Sequence, residues 1–355
     1  MTEQELRDRT TGMFLGIAIG DALGMPVETM NAETIAAKYG RITKYIEPKG
    51  HKWFDGCPAG TTTDDTQLTL AVAESLIAKK GLNLNDLAYR HVQSWQIEGN
   101  RGFGNSTREA IKRLADGSHW KDSGKSNDPK AGTGNGIPMK VAPIGAVLGY
   151  SAALKKPLNL ISLFYSLGRL AFMTHRTPLG LESAILHVTA IAGLFEIKEI
   201  LNREEYLKTI IRRTTFIVNL LFDDPESKDL LSDAFADKNL ELRLTRRIAA
   251  LGSLPLDNLN ADTLRKLFDG GRCHVYDSLP FTYAFFLKNP RGIDTLYEII
   301  NAGGDTDTNA SIAGGMLGAL NGTVIFPPHL INGLKNKDRV IDVAKRFCDT
   351  FIPKN

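Results

Sequence analysis

This sequence predicts an all-α fold, on three observations. Apolar residues recur at helical spacing, as in Leu68, Val72, Leu76 and Ile77 on one face. Alternating runs of β-branched residues, the mark of half-buried strands, are nearly absent. No strand–helix–strand rhythm runs along the chain, which disfavours a doubly wound sheet.

Taken in order, the first element is a helix with glycine at every fourth position, Gly12, Gly16 and Gly20. That spacing leaves a smooth groove on one face, along which a second helix can approach closely. The pattern continues through Asp21-Ala22-Leu23-Gly24-Met25-Pro26-Val27-Glu28, and the proline marks the helix end. A further helix follows Thr62-Thr63-Asp64-Asp65-Thr66-Gln67 and carries the Leu68 stripe. Segments 158–172, 182–200, 204–222 and 292–301 have helical periodicity, and 308–320 reads as a helix of small residues. Gly, Pro, Asn and Asp collect at 48–64, 99–106, 116–143, 223–229 and 252–262, which read as loops. The stretch 116–143 is too long for an idle connector and suggests function or mobility. No break has linker composition, and no internal repeat is visible. One domain spanning 1–355 is expected, with a variable insertion within 200–265, which is charged and free of motifs.

Composition narrows the class. With 43% hydrophobic and 23% charged residues, the chain has the means to bury a core that holds a rigid site. Its 43 basic and 40 acidic residues leave a net charge of +3, which gives no reason to expect a nucleic-acid or membrane partner. Cys57, Cys273 and Cys348 are far apart and unpaired by any CxxC spacing, so a reducing compartment fits better than a disulfide framework or zinc ribbon. The N-terminal MTEQELRDRT has no apolar signal core. The apolar stretch 179–195 contains Glu182 and His187 and reads as too short and polar to span a membrane. A cytoplasmic protein is expected.

Two acidic motifs carry the chemistry. In Thr62–Gln67, adjacent Asp64 and Asp65 repel each other unless something positive sits between them. A hard divalent cation bound by oxygen ligands is one solution, and capping of the following helix is another. In Gly303-Gly304-Asp305-Thr306-Asp307-Thr308-Asn309-Ala310, two carboxylates follow two glycines and again open a helix. Capping is again an alternative, and a calcium loop is a weak one, because the twelfth position from Asp305 is Met316 rather than the Glu of an EF-hand. Helix N-termini tolerate anions. If the two helices pack side by side, four carboxylates converge and can hold two cations, with Thr63 and Thr308 adding hydroxyl oxygens. Glu28 follows a proline at a helix end, where an acid can point into a cleft; Asp21 reads equally as a site residue or a buried structural acid.

Three glycine-rich or histidine motifs support these. Gly132-Thr133-Gly134-Asn135-Gly136, followed by Pro138-Met139-Lys140, offers backbone N–H groups that can cradle phosphate, yet fits neither a Walker loop nor a Rossmann fingerprint. Thr174-His175-Arg176-Thr177-Pro178 supplies a histidine whose value lies in the set. The stretch from Trp95 to Gly104 is suited to a pocket wall.

In order, GDALGMPVE, TTDDTQ, WQIEGNRGFGNST, GTGNGIPMKVAPIG, THRTP and GGDTDTNA resemble the ADP-ribosylglycohydrolase family over about residues 11–320. The resemblance implies a compact orthogonal multi-helix fold with a binuclear cleft holding two Mg²⁺, sometimes Mn²⁺. It assigns Thr63, Asp64, Asp65, Asp305, Asp307 and Thr308 to the metals, and Glu28, Asp65 and Asp305 to catalysis. It assigns Gly102, Gly132, Thr133, Gly134, Asn135, Gly136, Met139 and His175 to the substrate. Where the family has Met-Arg this chain has Met139-Lys140, which keeps the charge and loses the bidentate fork. The implied reaction removes ADP-ribose from a protein side chain at the N- or O-glycosidic bond to C1″. An ADP-ribosylated protein or ADP-ribose itself is the implied partner, and an ADP-ribosylated base stays open. Two other readings stay open: a non-catalytic ADP-ribose-binding relative, and an immunity protein that binds an ADP-ribosylating toxin.

Overall fold

The computed structural model describes residues 1–98, 101–128, 130–154, 160–225 and 243–352. Over these the helices are α1 (Glu3–Gly24), α2 (Ala32–Tyr39), α3 (Asp64–Lys79), α4 (Leu84–Glu98), α5 (Asn105–Ala115), α6 (Trp120–Ser123), α7 (Ala142–Ala153), α8 (Leu160–Thr174) and α9 (Pro178–Glu196). They continue as α10 (Arg203–Asp223), α11 (Arg243–Ala250), α12 (Ala261–Leu267), α13 (Val275–Lys288), α14 (Asp294–Ala302), α15 (Thr306–Asn321), α16 (Pro328–Gly333) and α17 (Lys337–Phe351). Among the described residues no sheet forms, and β pairing is confined to the isolated bridges Asn31–Gly303 and Gly134–His274. The fold is all-α, as the periodicity predicts.

The glycine repeat of α1 builds the central contact. α1 and α15 make the most extensive helix pair of the fold and run antiparallel. A Cβ at Gly16 would stand 2.0 Å from the Gly314 carbonyl oxygen, and one at Gly20 2.0 Å from that of Ala310. From the other side, a Cβ at Gly318 would meet the Gly12 carbonyl oxygen at 2.0 Å. Both backbones therefore touch where side chains would otherwise separate them. Each end of the seam is pinned: the Thr306 hydroxyl donates to the Gly24 carbonyl at 2.8 Å, and the Thr323 hydroxyl to Asp8 at 2.6 Å. α3 packs on α1 and α15, so the starts of α3 and α15 meet at the C-terminal end of α1.

The expected helices form with shifted ends. α9 begins at Pro178, four residues before the expected 182, because the Thr177 side chain caps it and proline suits its first turn. The expected loop 116–143 contains α6 and a single 3₁₀ turn, Pro138–Lys140. Both α1 and α9 prove long and apolar enough to cross a membrane, contrary to the expectation for 179–195; here both are largely buried against other helices. Of the charged segment 200–265, residues 226–242 lie outside the described residues. Its other parts are tied to the core: Ile210, Ile217, Leu221, Leu244 and Ile248 are buried, and Glu182 of α9 accepts the amides of Leu244 at 3.2 Å and Thr245 at 2.6 Å.

Candidate functional site

The two acidic motifs meet. Thr63, not an aspartate, is the N-cap of α3, and its hydroxyl accepts from the Asp65 amide at 3.3 Å. Asp64 and Asp65 are thus left in the first turn, free of the capping role. Asp305 occupies the N-cap position of α15 but makes no capping hydrogen bond. Its carboxylate instead accepts from the Asn135 side chain at 2.6 Å. The Thr308 hydroxyl donates to Asp65 at 3.2 Å, joining residues 243 apart in sequence. Asp307 accepts the Thr308 amide at 2.9 Å.

Glu28 enters this group rather than standing outside it. Carboxylate oxygens of Glu28, Asp305 and Asp307 lie within 4.8 Å of one another. The approach depends on two glycines. Gly303 and Gly304 have φ of 81° and 90°, a region L side chains rarely adopt, and a Cβ at Gly304 would meet the Gly270 carbonyl at 2.1 Å. With that backbone, Thr29 N–H donates to the Gly304 carbonyl at 2.8 Å and Gly304 N–H to that of Met30 at 2.9 Å, lacing the Glu28 turn to the Asp305 turn.

The electrostatics follow from packing carboxylates together out of water. Burial pushes the Asp64 carboxyl up to about 8, with Asp21 and Glu28 adding to the rise. Burial, then Glu28, raises Asp305 to about 6. Asp65 and Asp307 lie well above the usual carboxylate range, by burial first and neighbouring carboxylates second. Asp65 Oδ1 is buried with no hydrogen-bond partner among the described residues. An all-oxygen, acidic donor set with an orphaned buried carboxylate oxygen suits a hard divalent cation.

Beneath this floor is Asp21, which is fully buried. Its carboxylate accepts the Thr63 amide at 3.0 Å, the Thr66 amide at 3.1 Å and the Thr66 hydroxyl. It holds the turn that presents Asp64 and Asp65, and burial raises it to about 6. Lys140 also sits below the cleft, fully buried, rather than facing substrate. Burial lowers its ammonium to about 7, against the opposing charge of Asp64. Lys140 donates to the Thr174 hydroxyl at 3.2 Å, and that oxygen lies 2.9 Å from His175 Nδ1. With Thr174 accepting from the lysine, its own proton goes to Nδ1, which assigns the His175 proton to Nε2. Burial holds His175 neutral, at about 3.

A cleft of about 1100 Å³ opens above the floor. Glu28, Asp64, Asp65, Asp305, Asp307 and Thr308 line its base; Thr133, Gly134, Asn135, Gly136, Met139, His175 and Gly102 line its sides. Two of the expected residues do not line it. Thr63 lies one layer below, as the cap. Gly132 shapes the loop instead: its amide donates to Ser106 Oγ at 2.8 Å, and its carbonyl accepts from the Thr177 hydroxyl. The Asn135 amide is likewise taken by the Cys273 carbonyl, at 3.0 Å. The loop therefore offers fewer free N–H groups than its glycine content suggests. Phe103 and Gly104 form part of the wall, whereas Trp95 does not.

Sequence reading missed three contributions. His51 is nearly buried, with Nε2 3.6 Å from Glu28 Oε2. Its Nδ1 accepts the Trp53 amide at 3.3 Å, so Nε2 carries the ring proton and faces Glu28. Cys273 and His274 line the cleft from the loop before α13. Ser278 relays between Asn135 and Asn309, receiving from the first at 2.9 Å and donating to the second at 2.7 Å, which steadies the residue that holds Asp305. No local pattern marks any of these, since each partner is distant in sequence.

Comparison with known proteins identifies the family and the fold. A family model described as ADP-ribosylglycohydrolase matches residues 2–354. The ADP-ribosylhydrolase ARH3 of Gallus gallus is 28% identical over 343 residues, covering 90% of this chain and 87% of that one. The ADP-ribosyl-[dinitrogen reductase] glycohydrolase of Rhodospirillum rubrum is 32% identical over 212 residues, 57% of this chain and 65% of its own. A solved structure titled ADP-ribosylglycohydrolase-related protein complex superposes with a TM-score of 0.65 at 22% identity, covering 98% of this chain and 100% of that one, a likeness of fold.

Proposed function

Since the chain belongs to the ADP-ribosylglycohydrolase family, hydrolases that remove ADP-ribose, we propose that it cleaves the N- or O-glycosidic bond between C1″ of ADP-ribose and a protein side chain, using two Mg²⁺. The observation that carries this reading is the buried all-oxygen floor of Asp64, Asp65, Asp305, Asp307 and Thr308 at the base of a cleft of about 1100 Å³. Those residues would hold the cations, with Glu28 at their edge. Divalent cations supply positive charge that orients ribose hydroxyls and acidifies water.

In this reading the chain's own groups do the rest. Glu28, less buried than the aspartates and backed by His51, accepts the proton of the attacking water. The bond from C1″ to the side chain breaks with oxocarbenium character on the ribose, water oxygen bonds to C1″, and the leaving side chain takes up a proton. His175, neutral with its proton on Nε2, donates to an oxygen of the nucleotide. The 133–136 loop and Gly102 enclose it, and the absence of a side chain at Gly102 keeps space beside Asp64, where a Cβ would stand 3.2 Å from Oδ1.

The test is a panel of defined peptides carrying ADP-ribose on arginine or serine, incubated with Mg²⁺ or with EDTA. Turnover is expected with Mg²⁺ and lost in EDTA. Full turnover after exhaustive chelation overturns the metal assignment, and no turnover of any peptide overturns the hydrolase reading. Glu28→Gln is expected to lower kcat by about 10²–10⁴-fold and to impair ADP-ribose binding less. An unchanged kcat would remove Glu28 from proton transfer.

A further inference from the structure

A second cavity, of about 530 Å³, meets the acidic floor from the other side. Glu28, Cys273 and Asp305 line both cavities. A bond held over Glu28 and Asp305 therefore has room for one substituent in each direction. The larger cleft, with its glycine loop, suits the nucleotide. The smaller cavity then faces the other side of the scissile bond.

Its lining differs in charge from the floor. Arg265, Lys266 and Arg272 line it, with Asp269, Glu28 and Asp305 as the acids. Two of the cations are already engaged: Arg265 pairs with Glu33 and Asp262, each at 2.7 Å, and Lys266 with Asp262 at 2.7 Å. Arg272 is exposed and forms no hydrogen bond or ion pair among the described residues. It sits in the Gly271–Cys273 loop, whose Gly271 carbonyl accepts the Asp305 amide at 3.1 Å, so its position is tied to the floor. An anion approaching the carboxylate floor meets repulsion, and a cation at this mouth offsets it.

We propose that the smaller cavity receives the acceptor side of the substrate, and that Arg272 selects acceptors with an anionic group, carboxylate or phosphate, beside the modified residue. The inference rests on the hydrolase reading above and adds a specificity determinant to it.

The experiment measures kcat/KM on matched ADP-ribosylated peptides whose residue next to the modified one is Glu, phosphoserine, Ala or Lys. Wild-type protein with Mg²⁺ is expected to favour an anionic over a neutral neighbour by about two- to fivefold, the size of one partly exposed ion pair. The preference should shrink as salt is raised. Arg272→Ala is expected to bring the anionic-to-neutral ratio to about one, and Arg272→Glu to invert it in favour of Lys. A preference for either anion supports the inference, and the larger of the two identifies the source. An unchanged ratio in both variants overturns it. So does an equal loss on all four peptides together with weaker inhibition by free ADP-ribose, which would put the diphosphate in this cavity instead. Failure of wild-type protein to cleave any peptide is a different result, and it strikes the hydrolase reading itself.

Discussion

The floor of the cleft and its glycine-rich wall are built in opposite ways. The floor carboxylates stand at the starts of α3 and α15: α15 is clamped to α1 by backbone contact, and α3 is tied to α1 through Asp21, which accepts the Thr63 and Thr66 amides. The wall loop at 130–136 is held by a few separate hydrogen bonds: the Gly132 amide to Ser106 Oγ, the Thr177 hydroxyl to the Gly132 carbonyl, the Asn135 amide to the Cys273 carbonyl and the Val275 amide to the Thr133 carbonyl. The floor is costly in isolation, because its carboxylates are buried together, and it persists because the helices beneath cannot move apart. The wall costs little and can adapt. Chemistry that needs fixed geometry sits on the first, and recognition sits on the second.

The largest expected effect breaks the floor. Asp65→Asn and Asp305→Asn should each lower activity by more than the roughly 10–100-fold that outer partners of a metal site cost. Each should weaken Mg²⁺ binding in calorimetry while circular dichroism shows an intact fold. Neither carboxylate caps its helix, so an asparagine has no cap to lose. Wild-type activity and metal affinity in both variants would refute the two-cation floor.

A second, intermediate effect is on stability. The Asp64 carboxyl is raised in the folded state to about 8 from 3.8, so the folded protein holds this proton where the unfolded chain has released it. Its contribution is present below about pH 4 and is lost as pH rises towards 8. In EDTA, the Tm of Asp64→Asn minus that of wild type should therefore grow more positive from about pH 4 to about pH 8. Taking the difference cancels the opposing contribution of His175 to first order. Excess Mg²⁺ should reverse the sign at neutral pH, because the wild-type site gains more from the ion. A Tm difference independent of pH would show that Asp64 carries no such strain.

The smallest effect sharpens the contrast at the wall. A Cβ at Gly134 would meet nothing closer than 3.5 Å, whereas one at Gly136 would stand 2.7 Å from His175 Cε1. Gly134→Ala should keep the wild-type Tm and change KM by less than about tenfold, under about 1.4 kcal/mol. Gly136→Ala should displace His175 and cost more in both measures. Equal behaviour of the two would mean that the wall is as rigid as the floor.

Much of the floor was legible in the sequence because each half is a contiguous motif. TTDDTQ and GGDTDTNA announce both the acids and the helix starts that carry them, and the glycine repeat announces the seam that brings them together. The all-α class followed from helical periodicity together with the near absence of strand patterns. What was illegible depends on distance. His51 lies 23 residues from Glu28 in an unpatterned loop, and only folding brings the pair to 3.6 Å. Lysine is seldom buried, and nothing in the motif around Lys140 shows that it is enclosed beneath Asp64. Gly132 looked like a free anion-binding amide, and only the position of Ser106 shows that its N–H is taken.

The α1–α15 seam has a consequence for how the protein is made. The hydrogen bond from Thr306 to Gly24 spans 282 residues. During synthesis at 5–20 residues per second, α1 leaves the ribosome roughly 15–55 s before its partner exists. For that interval its glycine-lined, apolar face has no native cover, and the acidic floor cannot assemble. Assembly of the site thus waits for the synthesis of α15, and until then the apolar face of α1 is a surface that a chaperone can cover.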